Sequence, residues 1–185
     1  MEILPTELAD VIEIVPKRFG DDRGWFSEVF KRNELVAAGI EIDWVQDNES
    51  FSTTLGTLRG LHYQLPPAAQ DKLVRVLSGS ILDVAVDIRR DSPTFGQHVP
   101  RTLSSERGNQ LLVPAGFAHG FYTLEPIVHV AYKVSAPYAP ETERAIRWND
   151  PELGIDWPAL DGVDAPLLSG KDAVAPLLAD QPDLF

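Results

Sequence analysis

The 185-residue chain has no cysteine. That removes disulfides, thiolate nucleophiles and every metal site built on sulfur, and it suits a reducing compartment. Histidine is scarce: His62, His98, His119 and His129 are the whole supply. No stretch approaches the ~20 apolar residues that a membrane-crossing helix needs. The opening Met1-Glu-Ile-Leu-Pro-Thr-Glu7 lacks the basic segment and apolar run of a secretory leader. A cytoplasmic location is the resulting expectation. Cations are outnumbered, 16 lysines and arginines against 28 aspartates and glutamates, and a net charge of −12 repels polyanions. Neither nucleic acid nor membrane is an expected partner. A small anionic ligand is still compatible, given a local cluster of arginine and lysine. Repeats, low-complexity tracts and Gly/Ser linkers are also absent, so residues 1–185 read as one domain.

What is present is apolar substance, 44% of residues, cut into short pieces by 15 dispersed prolines. The spacing predicts many short strands with turns between them. Strands are expected at Val11–Val15, Ser50–Ser52, Gly56–Gln64, Gln110–Val113, Gly120–Thr123 and Ile127–Lys133. A hairpin is expected from Lys72–Leu77 through Ser78-Gly79-Ser80 to Ile81–Ile88. Its second arm alternates, with Leu82, Val84, Val86 and Ile88 on one face and Ile81, Asp83, Ala85 and Asp87 on the other. Helix is sparse: Lys31–Ala38 ending at Gly39, and a second from Ser169 through Leu178 capped by Ser169 or Asp172. The fold class that follows is mainly β, a barrel or jelly roll with a few short peripheral helices.

The chemistry-bearing residues lie on the β segments: Gly60-Leu-His-Tyr-Gln64, Lys72-Leu-Val-Arg75 and Val113-Pro-Ala-Gly-Phe-Ala-His-Gly120. Jelly rolls of this type often hold a metal on a His-x-His pair. Here His62 is followed by Tyr63 and Gln64, so that pair is broken and no metal ligand set is read. His98, after a turn, is expected on the surface, and His129 reads as a packed or exposed strand histidine. A polar pocket suited to proton transfer without metal is the reading. Strand parity leaves the direction of Lys72 open. It places Arg59 and His62 on opposite faces unless Gly60 forms a bulge.

Taken in order, the motifs are similar to the dTDP-4-dehydrorhamnose 3,5-epimerase family over nearly the whole chain. They are Phe19-Gly-Asp-Asp-Arg-Gly-Trp-Phe-Ser-Glu28, Val45-Gln-Asp-Asn48, Leu58-Arg-Gly-Leu-His-Tyr-Gln64, Lys72-Leu-Val-Arg75, Asp83-Val-Ala-Val-Asp-Ile-Arg89 and Ser92-Pro-Thr-Phe-Gly96. They continue in Val113-Pro-Ala-Gly-Phe-Ala-His-Gly120, Tyr132-Lys133, Trp148-Asn-Asp150 and Lys171-Asp172. The resemblance implies a cupin-type jelly roll without metal or other cofactor, a homodimer that exchanges its N-terminal strand, and a dTDP-4-keto-6-deoxyhexose substrate. The stretch Ala159–Leu168 looks longer than in some members, and the C-terminal extension ending in Asp180–Phe185 has no assigned role.

The reaction implied is epimerisation. A ketone at C4 acidifies the hydrogens on C3 and C5, and inversion needs a base, an acid on the opposite face and a donor to the enolate oxygen. The resemblance makes His62 the base, suited by an ordinary imidazole pKa of ~6.5, and Tyr132 the acid, its phenol protonated at neutral pH. It makes Asp172 the partner of His62, an alternative to helix capping, and turns Lys72 into the pocket toward the enolate. Asp83 is the expected partner of Lys72, and His119 a second donor to the same oxygen or to phosphate. Arg23 and Arg59 are the implied diphosphate cations. Glu28, Gln46 and Asn48 resemble nucleotide contacts, Tyr138 the aromatic that stacks on thymine, and Glu143 and Lys171 further substrate contacts. Two alternatives stay open: an epimerase acting at C3 only or C5 only, and a non-catalytic sugar-nucleotide-binding cupin.

Overall fold

The alternation in Ser80–Asp87 predicts a strand with two distinct faces, and in the computed structural model, which describes residues 1–185, both faces are buried. Strands β1 (Glu2–Pro5), β2 (Ile12–Val15), β3 (Arg18–Asp21) and β4 (Gly24–Ser27) precede helix α1 (Arg32–Ala37). Then come β5 (Gln46–Ser52), β6 (Leu58–Gln64), β7 (Lys72–Ser78), β8 (Ser80–Asp87), β9 (His98–Ser104), β10 (Gln110–Val113), β11 (Phe117–Thr123), β12 (Val128–Val134) and β13 (Glu143–Ala145). Helix α2 (Gly170–Ala173) and a 3₁₀ turn at Leu178–Asp180 complete the chain.

Two antiparallel sheets face each other as a cupin-type jelly roll. One runs β1-β2-β10-β7-β12-β5, the other β13-β6-β11-β8-β9, and β3-β4 stands apart as a ribbon. Between the sheets lies an apolar core that includes Val74, Ile81, Ala85, Val99, Leu111 and Phe121. Val84 and Val86, on the opposite face of β8, and Ile88 just past its end pack beneath Ile146, Leu153, Leu178 and the side chains of Leu184 and Phe185. The tail for which the sequence suggested no role is therefore the cover of the five-stranded sheet. The outer face of the other sheet is closed by Leu35 and Ile40, from α1 and its exit. No helix is long and apolar enough to cross a membrane.

Several expectations need correction. β7 and β8 do not form a hairpin: β7 pairs with β10 and β12, and β8 with β9 and β11. The turn at Gly79, with φ +79°, carries the chain from one sheet to the other. Alternation looks the same in both arrangements, because pairing partners lie far away in sequence. The second helix is a single turn, capped by Ser169 Oγ accepting from the Asp172 amide, so Asp172 is not its cap. β2, the strand expected to be lent to a partner, is paired on both sides within its own chain, by β1 and β10. His98 opens β9 and is half-buried rather than on the surface. The unforeseen β1, β3, β4, β9 and β13 are short or rich in polar residues. Pro100 obscures β9, where it is tolerated because β9 is an edge.

Candidate active site

A cavity of about 840 Å³ opens between the two sheets. His62 reaches it from β6, Lys72 from β7, His119 from β11 and Tyr132 from β12; Asp172 on α2 closes one side. Arg59 lines the same cavity because β6 carries one extra residue between Arg59 and His62, which pair with Phe121 and His119 respectively. Gly60 makes this bulge, at φ +122°. A Cβ there would lie 2.6 Å from the Gly120 Cα on the neighbouring strand, so only glycine fits.

His62 Nε2 lies 2.6 Å from Asp172 Oδ1, which leaves Nδ1 as its ring nitrogen without a protein partner. Burial pushes the Asp172 carboxyl up, but the His62 hydrogen bond and charge outweigh it and hold it below the usual carboxylate range. His62 and His119 face each other across paired strands. His119 Nε2 lies 3.0 Å from both oxygens of the fully buried Asp83. Asp83 thus pairs with His119, not Lys72 as expected, because β8 and β11 are neighbours whereas β7 is in the other sheet. Lys72 Nζ donates to the His62 carbonyl at 3.2 Å and ties the two sheets together. Burial pushes its pKa down to about 8, with the charges of Asp83 and Glu143 opposing. Tyr132, half-buried, has its phenol pushed up by burial and stays protonated.

The rim of the cavity is polar. Lys171 Nζ donates to both Glu143 oxygens at 2.9 Å, and Tyr138 Oη donates to Glu143 at 3.2 Å. Burial pushes the Glu143 carboxyl up, and the Lys171 ammonium more than reverses it. Gln46 Nε2 donates to Asn48 Oδ1 at 2.7 Å on β5, and its Oε1 accepts from the Tyr138 amide at 3.3 Å. Two expected residues are not part of this wall. Arg23, in the exposed β3–β4 turn, pairs with Asp21, and Glu28 pairs with Lys31. Other lining residues were missed. Gln64, two along from His62 and hence on its face, accepts from the Ala139 amide and holds the Tyr138 loop. Leu167 and Leu168, from the long 159–168 stretch, line the cavity beside Phe121. Period-two counting from His62 points to Gln64; nothing local points to Leu167.

The model of the dTDP-4-dehydrorhamnose 3,5-epimerase family matches residues 5–180. The chain belongs to this family. It is an epimerase, and several relatives match it along nearly their full length. The 3,5-epimerase of Pseudomonas aeruginosa is 52% identical, covering 94% of this chain and 93% of that protein. That of Sinorhizobium fredii is 49% identical, covering 96% and 90%. The Legionella pneumophila 3,5-epimerase, solved in complex with dTDP-4-keto-L-rhamnose, superposes with a TM-score of 0.91 at 47% identity over 96% of this chain and 93% of that one. A 3′-monoepimerase of Streptomyces bikiniensis, solved with dTDP-quinovose, is more distant at 35% identity and a TM-score of 0.86, covering 95% and 87%.

Proposed function

We propose that this epimerase inverts both C3 and C5 of dTDP-4-dehydro-6-deoxyglucose, giving dTDP-4-dehydrorhamnose through enolate intermediates. The observation that supports it most is the placement of His62 and Tyr132 on one cavity, each suited to one half of a proton exchange. His62, oriented by Asp172, removes the proton; a carboxylate on the far nitrogen stabilises the imidazolium that forms. Tyr132 returns a proton to the opposite face. Lys72 and His119 supply positive charge or a donor to the developing oxyanion. Arg59 takes the diphosphate, and Gln46, Asn48, Tyr138, Glu143 and Lys171 hold the nucleotide and sugar. Each carbon is inverted by the same cycle, and the sugar turns or flexes between rounds. Proton NMR of the product formed from dTDP-4-keto-6-deoxyglucose tests this. Inversion at both carbons is expected; inversion at one carbon points to a single-centre epimerase, and tight binding without turnover to a binding protein.

The same reading includes a homodimer. Phe19, Trp25 and Phe26 on the β3–β4 ribbon are 49, 58 and 66% exposed, an apolar patch that a second copy would cover. Arg23 and Glu28 sit on or beside that ribbon, clear of their own cavity. A partner docked there brings both to the neighbouring site. Light scattering at assay concentration is expected to give twice the chain mass, and an active monomer would contradict it.

A further inference from the structure

The β3–β4 ribbon pairs with neither sheet. Just past its end, Gln110 Nε2 donates to the Val29 carbonyl at 2.7 Å and fixes the base. Within residues 18–27, one side chain makes hydrogen bonds to the rest of the chain: Arg18. Its guanidinium donates to the Ser105 carbonyl at 2.5 Å and to the Glu106 carbonyl, both in the turn between β9 and β10. The Trp25 indole lies against the same guanidinium, its ring centroid 4.0 Å from Arg18 Cζ. Gly108 leaves room for this contact, since a Cβ there would stand 2.7 Å from Arg18 Nη2.

Register divides the ribbon into two faces. Arg18 pairs with Ser27, Phe19 with Phe26 and Gly20 with Trp25. Alternation therefore puts Arg18 and Trp25 on one face, and Phe19 with Phe26 on the other. The first face is fastened to its own chain, and the second is exposed. We infer that Arg18 is a positioning residue for assembly. It fixes the lean of the ribbon, so that Phe19 and Phe26 meet a second copy and Arg23, in the turn at the tip, reaches that copy's cavity. The inference rests on the homodimer reading above and deepens it. A two-stranded ribbon alone is marginally stable in water and free to swing about its base. Fastening it before the encounter removes an ordering cost from association.

The test is Arg18→Met, which keeps the stem and removes the charge and the donors. Arg18→Lys keeps the charge, and carries the comparison if the first variant does not fold. Tagged and untagged chains are mixed at assay concentration, and subunit exchange is followed by native mass spectrometry, alongside thermal melts. Arg18→Met is expected to exchange subunits about 10-fold faster than wild type, the effect of losing one preorganised element, with Arg18→Lys in between. Its activity per chain should fall on dilution and return at high enzyme concentration, over a range where wild type stays constant. Exchange at the wild-type rate overturns this inference alone, even where the melting temperature drops, since Arg18 would then serve only its own chain. Activity lost equally at every enzyme concentration also overturns it. A wild-type protein that is an active monomer overturns the homodimer reading and this inference with it.

Discussion

Two histidine–aspartate pairs face one another across β6 and β11, and they differ in how they are built. His119–Asp83 is made within one sheet, by neighbouring strands, with both carboxylate oxygens at 3.0 Å and the aspartate fully buried. His62–Asp172 joins a strand to a one-turn helix 110 residues later, through a single contact of 2.6 Å. The His62 side chain is 23% exposed and that of His119 only 9%. The same two residue types therefore serve different ends. Each ring keeps Nδ1 without a protein partner, so the pairs differ in exposure and in how firmly they are held: the closed pair in a rigid sheet fixes its ring in place, whereas the more open one suits the proton transfer proposed for His62.

The largest effect belongs to the open pair. His62→Ala is expected to lower epimerisation by about 10²–10⁴-fold, the usual share of a positioned proton-transfer group, and to suppress deuterium wash-in at C3 and C5 to the same degree. Tyr132→Phe should separate the two readouts: mass spectrometry shows continued exchange while NMR shows inversion reduced about 10²-fold. Wash-in at the wild-type rate in the His62 variant would remove the distinction between the pairs.

Next comes a swap of symmetrical substitutions. Asp172→Asn should cut kcat/KM by about 10²-fold or more with dTDP affinity kept, because the amide favours the wrong tautomer. Asp83→Asn should cost about 1–3 kcal/mol of stability, read from the denaturant midpoint, through a buried partner left imperfectly matched. Reversal of these outcomes would mean that His119 is the proton carrier.

The smallest effect is a pH trend through Lys72, which sits between the pairs. Its folded pKa of about 8 lies below the ordinary 10.5, so the unfolded chain binds this proton more tightly. The lysine's contribution to stability is at its worst below pH 8 and recovers as pH rises from about 8 to 10.5. Activity should run the other way, with kcat falling through about pH 8 as the ammonium facing the enolate is lost. Chemical denaturation and initial rates over pH 7–10 measure both. A parallel decline would place the charge outside the chemistry.

Much of the molecule was legible in the sequence. Period-two alternation gave both faces of β8, and Gly60 was the right place for the bulge that turns Arg59 and His62 into one cavity. Sheet membership was not legible, since strand pairing is set by partners up to a hundred residues away. That is why β7 and β8 were joined as a hairpin and Asp83 was given to Lys72. Family motifs named His62 and Asp172; local spacing alone left the aspartate divided between a cap and a partner.

The 110-residue gap between His62 and Asp172 also bears on the order of assembly during synthesis. All strands of both sheets are complete by Ala145, well before α2 is made. A nascent chain can therefore close its jelly roll and shape most of the cavity while the imidazole still lacks its carboxylate. The carboxylate that orients His62 arrives with the same segment that covers the outer face of the five-stranded sheet, so the site and that part of the core are completed together.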